Sequence, residues 1–207
     1  MQIKIFNNYH NDENTYLLYE NGTGVVIDPG NSDIEIAGFA KENNIEIKYI
    51  LLTHCHYDHI EFLEKLREKS SAKIVCGEKC AENVVNPRMN LSIFGLGYEL
   101  SPKAPDIILA DGEVFNAGSM EIKCVYTPGH TNCSVCYILD EKIFSGDTLF
   151  LRNCGRWDLP TGDEATLVKS IREKLYALDD AMGVYPGHGR ETTIGYEKQF
   201  NMFIKEK

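Results

Sequence analysis

Between Thr53 and His59 the chain reads Thr-His-Cys-His-Tyr-Asp-His, which places three of its six histidines and an aspartate within six residues. Imidazole nitrogens with one or two carboxylates suit zinc, and they also accept iron or manganese. In extended backbone His54 and His56 point to one side, because side chains alternate. Asp58 and His59 fall where the chain turns into a helix and project a second way. One short segment can therefore offer ligands to two adjacent metal positions. Chance clustering on a surface loop explains this poorly in an acidic chain with so few histidines. Three more residues share a common setting: His130 in Thr-Pro-Gly-His-Thr131, Asp147 in Phe-Ser-Gly-Asp-Thr-Leu149, and His188 in Tyr-Pro-Gly-His-Gly189. Each follows a strand-like run, and the glycine before it lets the backbone turn sharply beside an ion. One Gly-His alone signals only a turn. Four strand-end segments with ligating residues can converge on one edge of a sandwich. His10 has no such setting and reads as a loop histidine.

The elements that must carry these residues follow from periodicity. Strands are expected at Ile3–Phe6, Thr15–Tyr19 and Gly24–Asp28, the last closing in the turn signal Asp-Pro-Gly. A helix over 32–43 follows, with Ile36, Phe39 and Ala40 on one face. The apolar run Tyr49–Thr53 reads as a buried strand leading directly into His54. A helix is expected from Asp58 to Lys69, striped by Ile60, Leu63 and Leu66. A strand at Lys73–Cys76 and a short helix over 78–85 come next. The stretch Asn86–Pro105 mixes Pro, Gly and Asn with Leu91, Ile93, Phe94 and Tyr98, and reads either as a binding loop or lid or as a loop tucked onto the core. Strands are expected near 106–109, 114–116, 119–127, 134–139, 142–146 and 183–185. Helices are expected over 163–178, with Asp163 and Glu164 at its start, and over 193–204. Both halves are strands plus helices, which predicts an α/β protein of two sheets packed face to face with helices outside.

The chain has 207 residues, of which 43% are hydrophobic and 25% charged, so it reads as one globular domain over 1–207 rather than a disordered or fibrous protein. Lysine and arginine total 21 against 31 acidic residues, a net charge of −10, which argues against nucleic acid or an anionic membrane surface as partner. No apolar run has membrane-spanning length. The start MQIKIFNNYHND lacks an apolar leader, so a cytoplasmic location is expected. Seven cysteines, an odd number, fit reduced thiols. Cys133-x-x-Cys136 opens a strand-like run instead of a helix, and with Cys76-x3-Cys80 it reads as small buried residues.

The motifs resemble those of the metallo-β-lactamase superfamily, whose signature is H-x-H-x-D-H followed by a distant His, Asp and His. His54, His56, Asp58, His59, His130, Asp147 and His188 match every position in order. The resemblance implies the four-layer αββα sandwich. It also implies two divalent metal ions, zinc ahead of iron or manganese. One would be held by His54, His56 and His130, the other by Asp58, His59 and His188, with Asp147 bridging. Within the superfamily the chain looks most like the glyoxalase II group. Ser145-Gly-Asp-Thr-Leu-Phe150, Asn153-Cys-Gly-Arg-Trp-Asp158 and Pro186-Gly-His-Gly-Arg-Glu-Thr-Thr-Ile-Gly195, with Glu197 and Asn201, carry that likeness.

That group implies hydrolysis of 2-hydroxyacyl-glutathione-like thiolesters, small molecules, by a hydroxide held between the metals. Asp58 is the candidate catalytic proton carrier. Arg156 is the candidate substrate-binding cation, unless it pairs with Asp158. The chain ends soon after His188, which resembles the short branch without the C-terminal helical domain that contacts glutathione. Cys133 stands where relatives have glycine. The Asn-Cys-Gly-Arg-x-Asp segment is shared with the mononuclear iron persulfide dioxygenases. These form the alternative, beside lactonase-type hydrolases on the same scaffold.

Overall fold

The structure is a computed structural model and describes residues 1–8 and 12–204; His10 lies outside the described residues. Two six-stranded sheets carry it. In the first, β1 (Gln2–Asn8), β2 (Glu13–Glu20) and β3 (Thr23–Ile27) run antiparallel in sequence order. α1 (Asp33–Glu42) then crosses over so that β4 (Glu46–Leu52) pairs parallel with β3. After β4 come α2 (Tyr57–Ile60) and α3 (Leu63–Ser70), and β5 (Lys73–Gly77) pairs parallel with β4. α4 (Glu78–Asn83) and α5 (Ser92–Gly95) precede the edge strand β6 (Ile107–Leu109). Parallel neighbours need such crossovers, since a tight hairpin can only reverse direction.

The second sheet begins with the meander β7 (Val114–Ala117), β8 (Met120–Tyr126), β9 (Val135–Leu139) and β10 (Lys142–Gly146). A small hairpin of β11 (Leu149–Phe150) and β12 (Asn153–Cys154) stands apart from it. α6 (Glu164–Ser170) and a π-helical turn (Ile171–Leu175) carry the chain to β13 (Gly183–Pro186), parallel to β10. β14 (Thr192–Thr193) and α7 (Ile194–Phe200) end the described chain.

Three buried cores show the layers. Leu17, Val26, Ile50 and Ile74 pack against Ile36 of α1 and Leu66 of α3. Their chain neighbours Leu18, Val25, Leu51 and Val75 point the other way and meet Ile122, Tyr137 and Phe144 of the second sheet. Cys136, Ile143 and Val184 pack outward on Leu167, Ile171 and Leu175. Successive strand residues thus enter different cores, as period-two geometry requires of a sheet covered on both faces. The order is helix, sheet, sheet, helix, the expected αββα sandwich. Among the described residues no helix is long and apolar enough to cross a membrane.

Three expected helices differ from the structure. The helix expected over 58–69 breaks at Glu61–Phe62, because Phe62 N–H donates to Pro29 O (3.0 Å). The Pro29–Gly30 turn lies so close that a side chain at Gly30 would sit 1.8 Å from the Asp58 carbonyl. The helix expected over 163–178 widens into the π turn, and Tyr176 N–H donates to Ile171 O. The tyrosine hydroxyl then reaches the carbonyls of Glu197 (3.1 Å) and Ile204 (2.8 Å). The helix expected over 193–204 stops at Phe200, because buried Asn201 accepts from the N–H groups of Phe203 and Ile204.

Candidate metal centre

The ligating segments leave the ends of strands: His54 after β4, His130 after β8, Asp147 after β10 and His188 after β13. All seven residues meet at one edge of the sandwich. Ligand atoms of His54, His56 and His130 lie within 4.8 Å of one another, and so do those of Asp58, His59 and His188. Asp147 lies between the groups. Its Oδ1 is 3.3 Å from His59 Nε2, and its Oδ2 is 3.6 Å from both His130 Nε2 and His188 Nε2. Nitrogens also face each other, His56 Nδ1 to His130 Nε2 at 3.0 Å and His59 Nε2 to His188 Nε2 at 3.2 Å.

These atoms fit divalent cations on the observation of what they lack. Among the described residues four buried side-chain N or O atoms have no hydrogen-bond partner, and three are His54 Nε2, His56 Nε2 and Asp147 Oδ1. A buried polar atom left unpaired costs about 1–3 kcal/mol. Two of these belong to the His54–His56–His130 group and the third, Asp147 Oδ1, lies beside His59 of the other, so each group has donors lacking a partner.

The outer nitrogens are set by one residue that the motif reading did not single out. Asp28, buried and in the left-handed region (φ 49°), accepts from Thr53 N–H (2.7 Å) and Thr53 Oγ1–H (2.5 Å). It also sits 3.0 Å from His59 Nδ1, and Thr53 Oγ1 sits 3.1 Å from His54 Nδ1. Because the carboxylate only accepts, His59 Nδ1 holds the proton. Because Thr53 spends its hydrogen on Asp28, His54 Nδ1 holds one as well. In the neutral ring each Nε2 is then the lone-pair nitrogen, one for each ligand group. The available signal was the Asp28-Pro-Gly turn at a buried strand end. His130 is oriented similarly, its Nδ1 donating to the Arg156 carbonyl (2.7 Å).

Burial and charge act in opposite senses on the two groups. Burial first, then neighbouring histidines, holds His54 well below the usual imidazole range. Burial and His130 hold His56 at about 4. Both imidazoles are therefore neutral at neutral pH, as a candidate ligand must be. Burial also acts most strongly on His59 and His188, but Asp147 and Asp58 outweigh it and raise both. Asp147 and Asp58 feel burial most, yet His59 and His188 hold both below the usual carboxylate range.

A cavity of about 550 Å³ opens on the centre. Tyr57, Leu91, Phe94, Phe150 and Leu159 wall it, with Asp58, Asp147 and His188 among its polar lining. The 86–105 segment is a pinned wall. Asn90, fully buried, donates to the carbonyls of Val84 and Leu100 (2.8 Å each), accepts from Ser92 N–H, and its own carbonyl takes Tyr57 N–H. Asn90→Ala is expected to destabilise the protein by about 1–3 kcal/mol, since it strands the Val84 and Leu100 carbonyls and the Ser92 N–H. Amide exchange at 91–100 should accelerate more than in the sheets; uniform protection would contradict the pinning.

Arg156 lines the same cavity, but its guanidinium forms a two-point pair with Asp158 (2.7 Å each). Its carbonyl, not its side chain, touches the ligand set. Glu197 and Asn201 brace this loop: Glu197 accepts from Arg152 N–H (2.8 Å), and Asn201 donates to Asn153 O (3.0 Å). All seven cysteines are buried and unpaired. Cys133 enters the first core beside Cys55 and Cys80, while Cys136 faces the third, so the C-x-x-C spacing joins two cores and makes no site.

The family model described as the metallo-β-lactamase superfamily matches residues 10–188. A probable metallo-hydrolase of Bacillus subtilis, YqgX, is 35% identical over 194 residues, covering 92% of each chain. The hydroxyacylglutathione hydrolase GloC of Haemophilus influenzae is 32% identical over 200 residues, covering 94% of each. Among solved structures, the BLEG-1 B3 metallo-β-lactamase superposes with a TM-score of 0.93 at 31% identity, covering 99% of this chain and 100% of its own. TTHA1623 in a di-iron-bound form gives 0.85 at 28% identity, covering 97% and 100%.

Proposed function

The chain belongs to the metallo-β-lactamase superfamily and is a metallo-hydrolase of it, and from that premise we propose a binuclear hydrolase of 2-hydroxyacyl thiolesters of the glyoxalase II type. The carrying observation is the pair of three-residue ligand groups that meet at Asp147 on the floor of one cavity. His54, His56 and His130 would hold one divalent ion, and Asp58, His59 and His188 the other, with Asp147 between them. Zinc is the ion we propose first, and the same donors accept iron or manganese. When bound, two such ions supply Lewis acidity, polarising an acyl carbonyl and bringing the pKa of water to about 7.

The protein's own residues do the rest. Asp28 keeps the imidazoles of His54 and His59 in the ligating tautomer. Asp58, held ionised by His59 and His188, can accept a proton but has none to give. A thiolate leaves without protonation, so thiolesters suit a site without a general acid. Leu91, Phe150 and Leu159 give the acyl group an apolar wall that lowers the local dielectric. Arg156 can hold a carboxylate of the thiol arm by exchanging Asp158, because an exposed pair of this kind is weakly held. Arg156→Ala should then raise KM for an anionic thiolester several-fold with kcat little changed; an unaltered KM removes that role. The seven free cysteines suit a reducing, cytoplasmic compartment, and the net charge of −10 disfavours nucleic acid.

The test is hydrolysis of S-D-lactoylglutathione by metal-analysed protein. Saturable turnover, abolished by chelation and by His56→Ala, is expected. Two bound metals without turnover would point to a lactone or a β-lactam as substrate. One iron with oxygen consumption on a persulfide would replace the reading with the dioxygenase.

A further inference from the structure

His188 is the one ligand of the second group contributed by the second sheet; Asp58 and His59 follow β4 of the first. The second position therefore forms only if the two sheets are held in register at the Pro186–Gly189 turn. That turn is gripped from the first sheet by Asn14, at the start of β2 and only 5% exposed. Its side-chain amide donates to Pro186 O (3.1 Å) and to Gly189 O (2.8 Å), the carbonyls on either side of the Gly187–His188 pair. Its backbone N–H donates to Gly187 O (2.8 Å). Its own Oδ1 accepts from Asn7 (2.9 Å), which fixes which end of the amide faces the turn. Glu13, one residue before, makes a backbone bridge with His188, and Gly189 N–H donates to Asp12 O (3.1 Å). Asn14 supplies three of these contacts, all to backbone carbonyls of the turn.

We infer that Asn14 is a positioning residue: by clamping both flanks of His188 across the sheet–sheet seam, it sets the occupancy of the second metal position. The inference rests on the binuclear reading above. Hydrogen bonds that orient ligands from outside typically change metal affinity by about 10–100-fold, and this clamp bears on one group only. The first group is held elsewhere among the described residues: His54 and His56 follow β4, and His130 is fixed through the Arg156 carbonyl.

Cobalt(II) titration of the full-length apoprotein tests it, with equivalents read from visible absorption and confirmed by elemental analysis. Wild type should take up two equivalents. Asn14→Ala should keep the first at wild-type affinity and weaken the second by about 10–100-fold, as the loss of a bond that orients a ligand from outside does. His188→Ala should abolish the second spectroscopic component. Tyr16→Phe is the comparison variant: that hydroxyl bonds Pro186 O (2.6 Å) from the same strand and lies beside the Asn14 amide, but it makes no bond to the Gly187 or Gly189 carbonyl among the described residues. It should leave both equivalents intact, whereas a merely structural seam contact would make the two variants alike. Asn14→Ser, shorter but still able to donate, is a second variant should the alanine protein be unstable, and it should give an intermediate shift. Two equivalents of unchanged affinity in Asn14→Ala, or parallel loss of both, would overturn the inference. A wild-type protein that binds one equivalent would overturn the binuclear reading itself, and the inference with it.

Discussion

Asp147→Asn is expected to lower kcat/KM for the thiolester by about 10²–10⁴-fold and to leave fewer than two metals per chain. The substitution keeps the shape of the side chain and removes its charge. In the structure that charge is shared among His59 Nε2, His130 Nε2 and His188 Nε2, at 3.3, 3.6 and 3.6 Å. Removing one partner from a buried set of charges costs about 3–5 kcal/mol, and each 1.36 kcal/mol is a factor of about ten in rate. The asparagine also brings an NH₂ group toward imidazole nitrogens whose lone pairs are needed inward. Steady-state kinetics with elemental analysis on the same preparation reads both effects. Activity within tenfold of wild type, with two metals retained, would show that Asp147 is not shared between the groups.

Gly187→Ala is expected to be as damaging through packing alone. A β-carbon there would lie 2.3 Å from Asp147 Oδ1 and 2.7 Å from His59 Cε1. Neither neighbour can withdraw, because His59 is tied to Asp28 and Asp147 is enclosed by three imidazoles. The backbone cannot withdraw either: Gly187 N–H donates to Gly146 O and its carbonyl accepts from Asn14, both at 2.8 Å. Overpacking of this kind costs about 1–3 kcal/mol, or a fall of about 2–4 °C in Tm per kcal/mol for a chain of this size. The second metal should be lost along with turnover. Gly38→Ala is the counterpart, in the middle of α1 with no atom within 4 Å of the added carbon. It should stabilise the protein by about 0.5–1 kcal/mol with activity unchanged. A Gly187→Ala protein that stays active with two metals would contradict the close packing.

The seven candidate ligand positions were legible in the residues themselves, and the fold brings them together at one edge. Imidazole and carboxylate announce their chemistry, a strand period of two puts His54 and His56 on one side, and glycine before His130, Asp147 and His188 marks a sharp turn. The sandwich was legible too, because Tyr49–Leu52 and its counterparts are apolar on both faces and only a covered sheet can bury them. What tertiary structure alone decided is how those ligands are held. Asp28 reaches Thr53 and His59 across 25 and 31 residues, and Asn14 reaches Pro186 across 172. Such bonds join a side chain to a distant carbonyl or ring, and they leave no periodicity in the chain. The helix break at Phe62 and the π turn before Tyr176 have the same origin: a hydrogen bond to a remote segment replaces or supplements the local one that propensity would favour. The helix stop at Asn201 is a local side-chain cap on Phe203 and Ile204, on a residue that also bonds the remote Asn153 carbonyl. Arg156 shows the difference in a single residue: the resemblance suggested a cation for substrate or a pair with Asp158, while the fold put its carbonyl on His130 and its guanidinium on Asp158.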